Sequence, residues 1–66
     1  MKTIQINGKF HDSQAASVAD LLGELHLAGK PVAVERNGEV VPKRQHAQTP
    51  VSAGDVFELV TLVGGG

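Results

Sequence analysis

The 66 residues are 41% hydrophobic, include two phenylalanines as the only aromatics and no cysteine, and carry a formal net charge of −1. A chain of this length makes one small domain with a thin core, which leaves no room for a large enclosed active site. The charge balance argues against strong nucleic-acid binding, the lack of cysteine excludes disulfides and thiolate metal sites, and no apolar stretch approaches the roughly 20 residues that span a bilayer.

The N-terminal segment is predicted to be a β-hairpin. Lys2 to Asn7 alternates, with its two isoleucines on one face. Asn7-Gly8 follows and suits a type I′ turn, which needs positive φ at both central positions. Lys9 to Asp12 is then the returning strand, and we expect Phe10 to be its contribution to the core. The alternation starts at once, unlike a signal peptide, so we expect a cytoplasmic protein.

A helix is predicted from Val18 to Ala28. Ser17 precedes it, and its hydroxyl can accept a hydrogen bond from the N–H three residues on. Gly29 supplies a left-handed stop and Pro31 prevents continuation. Gly23 weakens this helix, and only close packing would account for it. The apolar residues recur at i, i+3, i+4 and i+7 and form one stripe: Val18, Leu21, Leu22 and Leu25.

The second half is predicted to hold three extended segments, at Val32 to Arg36, Glu39 to Val41 and Asp55 to Val63. Asn37-Gly38 forms a tight turn between the first two. Lys43 to Pro50 is a polar loop with room for one helical turn.

These elements predict an α+β fold of the β-grasp type. One helix with one apolar stripe must cover one face of one sheet. The first and last strands are the natural central pair, and they run parallel because their connection includes a helix. We therefore expect a mixed sheet of four to five strands packed on one helix, with residues 1–63 as the domain and residues 64–66 as a flexible tail.

The tail consists of Gly64, Gly65 and Gly66. Glycine is costly to order, and three in succession at a given place occur by chance only about 3 times in 10,000. The α-carboxylate of Gly66 is ionised at neutral pH because its pKa is about 3.5. A carboxylate needs activation, most simply by attack on the α-phosphate of ATP, and a tail without Cβ atoms can enter a narrow channel. The alternative is a frayed end or a linker.

The last strand predicts a partner-binding face. If Phe57 and Leu59 point inward, period 2 places Glu58, Val60 and Leu62 on the outer face. Exposed aliphatics beside the tail would form a small apolar docking patch. The opposite phase would bury Glu58 unpaired. The alternative is that both aliphatics are ordinary strand residues.

Other polar residues carry weaker signals. The histidines show no metal-ligand spacing, so surface positions are expected and no metal site is predicted. They are His11, His26 and His46. Ser13 and Ser17 lack an acid–base partner in a recognisable motif. Lys43 and Arg44 either form a positive spot for an acidic partner or are solvated loop charges. Asp55 is expected to bond to nearby backbone.

Three segments together resemble the ThiS family, the ubiquitin-like sulfur carrier proteins of thiamine biosynthesis. They are Val34 to Lys43, with an N-G turn and a V-P followed by a basic residue, Gly54-Asp55, and Val60 to Gly66. The resemblance implies that Gly66 is adenylated by an E1-like enzyme of the ThiF type. It then becomes a thiocarboxylate that donates sulfur to a thiazole synthase of the ThiG type, while Gly64 and Gly65 thread into the partners.

The resemblance also implies a protein co-substrate that is not an enzyme itself. No cofactor is expected on the chain, ATP is used by the activating partner, and a sulfur donor protein loads the tail. Nucleic acid and membrane are not expected partners. Three alternatives remain: the small sulfur-donating subunit of a molybdopterin synthase, a ubiquitin-like protein modifier, and a β-grasp binding module with an incidental tail.

Overall fold

A computed structural model describes residues 1–62, in which a mixed five-stranded sheet packs on one α-helix. This confirms the predicted β-grasp arrangement. The strands are β1 (Lys2–Ile6), β2 (Lys9–Ser13), β3 (Val32–Arg36), β4 (Glu39–Val41) and β5 (Val56–Thr61). The helix is α1 (Val18–Glu24), and a 3₁₀-helix spans Lys43–Gln45. Within this part of the chain no helix is both long and apolar enough to cross a membrane.

The order of strands across the sheet is β2-β1-β5-β3-β4. β1 and β5 are neighbours and run parallel, with Gln5 opposite Val56 and Ile6 opposite Phe57. β5 pairs antiparallel with β3 on its other side. The prediction that the first and last strands form a parallel central pair is therefore confirmed.

Both hairpins turn on an Asn-Gly dipeptide, as predicted. Asn7 and Gly8 have φ angles of 51° and 83°, and Asn37 and Gly38 have 52° and 85°. Positive φ at both central positions is the requirement of a type I′ turn, whose twist matches that of the flanking strands.

Helix α1 starts at the predicted residue but ends before Ala28. The Ser17 hydroxyl accepts from the Asp20 N–H at 3.2 Å, so the predicted N-cap is confirmed. The last helical residue is Glu24, because His26 adopts a left-handed φ of 61°. The expected stop, Gly29, also has positive φ but lies in the turn that follows.

The end of α1 is closed by two backbone hydrogen bonds. The His26 N–H donates to the Gly23 carbonyl at 3.1 Å, and the Leu27 N–H donates to the Leu22 carbonyl at 2.7 Å. This is the Schellman pattern, with histidine at the position that glycine most often occupies. Leu27 then packs against the core to which Leu22 belongs.

Gly23 does not pack closely against anything. Apart from its chain neighbours and the nearby backbone of α1, a Cβ added at this residue would meet no atom within 4 Å in the described part of the chain. The expectation that close packing explains this glycine is therefore wrong.

The core lies between α1 and one face of the sheet. Its largest fully buried side chains come from β1, α1, β3 and β5: Phe57, Ile4, Leu21, Val18 and Val34. The apolar stripe of α1 faces the sheet, as predicted.

Phe10 does not belong to this core. Its residue is 78% exposed, which overturns the prediction that it is the core contribution of β2. The register of the hairpin places Phe10 opposite Gln5 and His11 opposite the buried Ile4. Phe10 therefore lies on the face away from α1, and the buried residue of β2 is Ser13.

Candidate partner-binding site

The side chains of β5 alternate between the core and solvent. Phe57 and Leu59 are buried, whereas Glu58, Val60 and Leu62 are exposed. Val60 is 58% exposed and Leu62 is 53% exposed. The predicted phase is confirmed for Glu58 and Val60, whereas Leu62 follows β5 and borders a groove on the helix side of the sheet. The binding role of the three exposed residues stays a prediction.

The turn residue Asn7 helps to hold β5 in place. Its side-chain amide donates to the Leu59 carbonyl at 3.0 Å, and its side-chain carbonyl accepts from the Leu59 N–H at 2.8 Å. The sequence motif predicted the turn, but it gave no sign of this cross-strand contact.

The turn residue Asn37 acts on the start of β5 in a similar way. Its side-chain carbonyl accepts from the Val56 N–H at 2.9 Å, while its own N–H donates to the Val56 carbonyl at 2.7 Å. Its side-chain amide also donates to Asp55 at 3.1 Å. Both Asn-Gly turns therefore fix the strand that presents the candidate binding face.

Asp55 is the buried charge of this region. It accepts from the Ser52 N–H at 2.8 Å, which confirms the expected bond to nearby backbone, and it also forms an ion pair with Arg36 at 2.9 Å. Burial by itself raises the pKa of Asp55, but the hydrogen bonds from Ser52, Asn37 and Arg36 outweigh it and hold that pKa below its ordinary value. Asp55 is therefore ionised at neutral pH.

Leu62 lies where the described part of the chain ends. Its N–H donates to the Pro31 carbonyl at 2.8 Å, which continues the antiparallel pairing beyond β5. Leu62 also borders a groove of about 470 Å³ on the helix side of the sheet. Other residues of the groove include Leu22, Lys30, Val32, Lys43 and His46.

The remaining candidate residues have structural surroundings. Ser13 donates to Glu24 at 2.7 Å, and Ser17 caps α1. His46 is buried, contrary to the expected surface position, and its Nε2 donates to the Val41 carbonyl at 3.0 Å. No three histidine, aspartate or glutamate residues among residues 1–62 gather in a way that could hold a metal ion.

The basic residues Lys43 and Arg44 lie in the 3₁₀-helix and are exposed. Neither forms an ion pair within residues 1–62, and their contact with an acidic partner stays a prediction. Gly64, Gly65 and Gly66 lie outside the described residues, as does Val63, the predicted last residue of β5.

Comparison with known proteins places these features in one family. The model of the ThiS family matches residues 2–66. The sulfur carrier protein ThiS of Bacillus subtilis is 37% identical over 65 residues, which cover 96% of this chain and 98% of that protein. The crystal structure of the thiamine biosynthesis protein ThiS from Geobacter metallireducens superposes with a TM-score of 0.80 at 35% identity, covering 97% and 99% of the two chains.

A second group of relatives is much longer. A thiazole synthase of Paramagnetospirillum magneticum is 48% identical over 62 residues. The match covers 92% of this chain but only 19% of that protein, so the chain spans about a fifth of its length. A thiazole synthase of Magnetococcus marinus is 36% identical over 64 residues, which are 20% of its length.

Proposed function

The chain belongs to the ThiS family, and from this membership we propose that it is a sulfur carrier protein of thiamine biosynthesis. The observation that carries the proposal is the match along nearly the full length of both proteins to a sulfur carrier protein ThiS. In the proposal the chain is a co-substrate for partner enzymes, is not an enzyme itself, and acts in the cytoplasm.

The working group is the carboxylate of Gly66. One carboxylate oxygen attacks the α-phosphate of ATP on an E1-like enzyme of the ThiF type, and pyrophosphate leaves. A donor protein releases the sulfur at the oxidation level of sulfide. The sulfide attacks the acyl carbon, a C–S bond forms as the C–O bond to the phosphate breaks, and AMP leaves, so no further oxidant or reductant is needed at this step. ATP is consumed by the partner, and no cofactor is held on this chain.

The thiocarboxylate then donates its sulfur to a thiazole synthase of the ThiG type. The chain has no cysteine, so it cannot carry sulfur as a side-chain persulfide. Two thiazole synthases contain a segment similar to this chain. This likeness supports an association between the carrier and that enzyme.

The rest of the chain provides recognition and reach. Glu58, Val60 and Leu62 are exposed on or just after β5, close in sequence to the tail, and we assign them to partner binding. The four residues from Val63 to Gly66 span up to roughly 13 Å when extended. Gly64 and Gly65 have no Cβ atoms, so they can thread into a channel that excludes larger residues.

The direct test is intact mass spectrometry after incubation with ATP, the ThiF-type enzyme and its sulfur donor. We expect a mass gain that corresponds to the exchange of one oxygen for one sulfur. A variant that lacks Gly65 and Gly66 is the control and should gain nothing. A wild-type chain that stays unmodified, or a chain that becomes attached to lysines of other proteins, would contradict the proposal.

A growth experiment identifies the pathway. A strain whose only copy of this chain lacks Gly66 should need the thiazole moiety of thiamine and should grow normally when it is supplied. A strain that grows without thiazole but lacks molybdenum-cofactor activity would instead indicate the small subunit of a molybdopterin synthase.

A further inference from the structure

The sheet has one face against α1 and one face that no described residue covers. We call this second face the outer face. Its positions follow from the register of the strands: Thr3, Gln5, Phe10, Asp12, Ala33, Glu35, Val40, Val56, Glu58 and Val60. Phe10, Val40, Val56 and Val60 are exposed apolar residues of this face. An exposed apolar surface of this kind is typical of an interaction site.

Two glutamates lie opposite each other in the middle of the outer face. Glu35 on β3 pairs directly with Glu58 on β5, and both are exposed. Side chains in such a pair start from Cβ atoms about 5 Å apart. Within residues 1–62 neither carboxylate has a lysine, arginine or histidine nitrogen within 4.0 Å. Like charges directly opposite each other destabilise a sheet.

No lysine or arginine occupies the outer face. Lys2 and Lys9 occupy alternate strand positions on the helix side, where Lys2 donates to the Ala15 carbonyl. Arg36 is paired with Asp55. The other three basic residues lie outside the strands: Lys30, Lys43 and Arg44. The charges of the outer face are therefore all negative, although the whole chain is nearly neutral.

The apolar neighbours of the acidic pair restrict the chemistry of its partner. Val40 lies opposite Glu35 on the next strand, and Val60 is two residues beyond Glu58 on the same face. A guanidinium group is planar and offers several N–H donors, so it can bridge two carboxylates. The methylene stem of an arginine can lie on aliphatic side chains while its charged end reaches the acids.

We propose that the outer face binds the adenylating enzyme through an arginine that bridges Glu35 and Glu58, with Val40 and Val60 in apolar contact beside it. This inference rests on the proposed carrier function, because that function supplies the partner. It adds Glu35 and Val40 to the binding surface and states the chemistry that the partner must present.

The test is the Kd of the full chain for its ThiF-type enzyme, measured at low and high salt. The Glu35→Gln/Glu58→Gln double variant removes both charges and keeps the shape of the side chains. We expect binding to weaken at least about tenfold at low salt, and the difference to shrink at high salt because exposed charges are screened. Glu39→Gln is the matched control, since Glu39 is exposed one residue before Val40 but on the opposite side of β4.

Two further measurements are needed. The unfolding temperature of the double variant shows whether it is folded, and the adenylation of the wild type tests the carrier function independently of the acidic pair. The double variant should unfold at a temperature no lower than the wild type, because a like-charge pair is removed. Suppose that the wild type is adenylated. A double variant whose Kd stays within tenfold of the wild-type value, or a Glu39→Gln variant that loses as much affinity as the double variant, would then overturn this inference and leave the proposed function intact. A wild type that is not adenylated would overturn the proposed function and this inference with it.

Discussion

The side chain of Asn7 forms hydrogen bonds with both main-chain polar groups of Leu59, at 2.8 and 3.0 Å. The main-chain N–H of Asn7 meanwhile donates to the Phe57 carbonyl at 3.0 Å. The main chain leaves β1 at this residue to enter the turn, and the side chain continues the parallel pairing two residues further along β5. The turn and the central strand are therefore joined through one side chain.

We predict that Asn7→Ala lowers the free energy of unfolding by about 2–3 kcal/mol. The variant loses two hydrogen bonds, and alanine has no polar side chain to offset the cost of the left-handed φ of 51°. Asn7→Gly tolerates that φ and loses only the hydrogen bonds, so it should cost about 1–2 kcal/mol. Urea unfolding measures both. An Asn7→Gly variant as stable as the wild type would show that the contacts with Leu59 contribute nothing.

We predict that the chain loses stability in acid through Asp55. Its pKa is lowered in the folded state, so its contribution is present above the unfolded value of about 3.9 and is lost as the pH falls through the lower folded value. Asp55→Asn should be about 2 kcal/mol less stable at pH 7, because Arg36 loses its partner. The variant should also lose less stability than the wild type between pH 5 and the acid range of about pH 2.

Glu24 adds to the same pH dependence. The Ser13 hydroxyl and the Gln14 N–H donate to its carboxylate and lower its pKa, so Asp55→Asn should keep some loss of stability in acid. Asp20→Asn serves as the control, since Asp20 is exposed and has no ion pair among residues 1–62. A wild type and an Asp55→Asn variant with parallel stability curves below pH 5 would contradict this role of Asp55.

We predict that Phe10→Thr changes the free energy of unfolding by no more than about 0.5 kcal/mol, because Phe10 is an exposed strand residue. Phe57→Leu is the comparison and should cost about 1–2 kcal/mol, because it alters the largest fully buried side chain. Thermal or urea unfolding distinguishes them. Equal losses would place Phe10 in the core after all.

We predict that Gly23→Ala raises the free energy of unfolding by about 0.5–1 kcal/mol. Gly23 lies inside α1, and apart from its chain neighbours and the nearby backbone of α1, an added Cβ would meet no atom of residues 1–62 within 4 Å. Gly54→Ala is the opposite case. Space for a Cβ is also available there, but Gly54 has a φ of 85°, which alanine adopts only with strain, so this variant should be less stable than the wild type. A lower free energy of unfolding for Gly23→Ala would show that the helix needs glycine at this position.

We predict that Val60→Asp lowers kcat/KM for adenylation by about tenfold, because a charge would replace an exposed apolar contact near the tail. Ala16→Asp is the matched control, because Ala16 is exposed between β2 and α1 and does not belong to the outer face. It should leave kcat/KM within about twofold. The same loss in both variants would indicate a general effect of added charge and would argue against a site at Val60.

Much of the fold followed from local patterns. The two Asn-Gly turns fixed the hairpins, and the alternation of β5 fixed which of its side chains face solvent. The side chains of β5 can alternate in two ways. One of them would bury Glu58 without a partner, which is costly, so the other could be chosen from the sequence. These features depend on residues that are close in sequence, so the sequence alone could predict them.

Two predictions that failed concern Phe10 and the end of α1. Phe10 is the apolar residue of a short strand, so the sequence predicts that it lies in the core, but the hairpin register and the bond from Ser13 to Glu24 select the other phase. The sequence predicts a helix as far as Ala28 because glycine is the usual left-handed residue at a helix end, but His26 takes that role after Glu24. Neither the exposure of Phe10 nor the end of α1 at Glu24 can be read from the spacing of apolar residues in the sequence.

The candidate site was predicted in part. Its exposed face on β5 was correctly identified, but the contacts that hold β5 were missed. Asn7 and Leu59 are 52 positions apart, and Arg36 and Asp55 are 19 positions apart, so no local spacing links them. The opposition of Glu35 and Glu58 likewise depends on strand register, which the sequence did not specify.

The position of β5 between β1 and β3 has a consequence for synthesis of the protein. A ribosome makes this strand after all the others, yet the sheet cannot join its two halves without it. Nascent or truncated chains that stop before residue 56 lack Glu58 and Val60 of the binding face as well as the tail. A partner that requires the folded sheet thus engages only chains whose translation has passed β5.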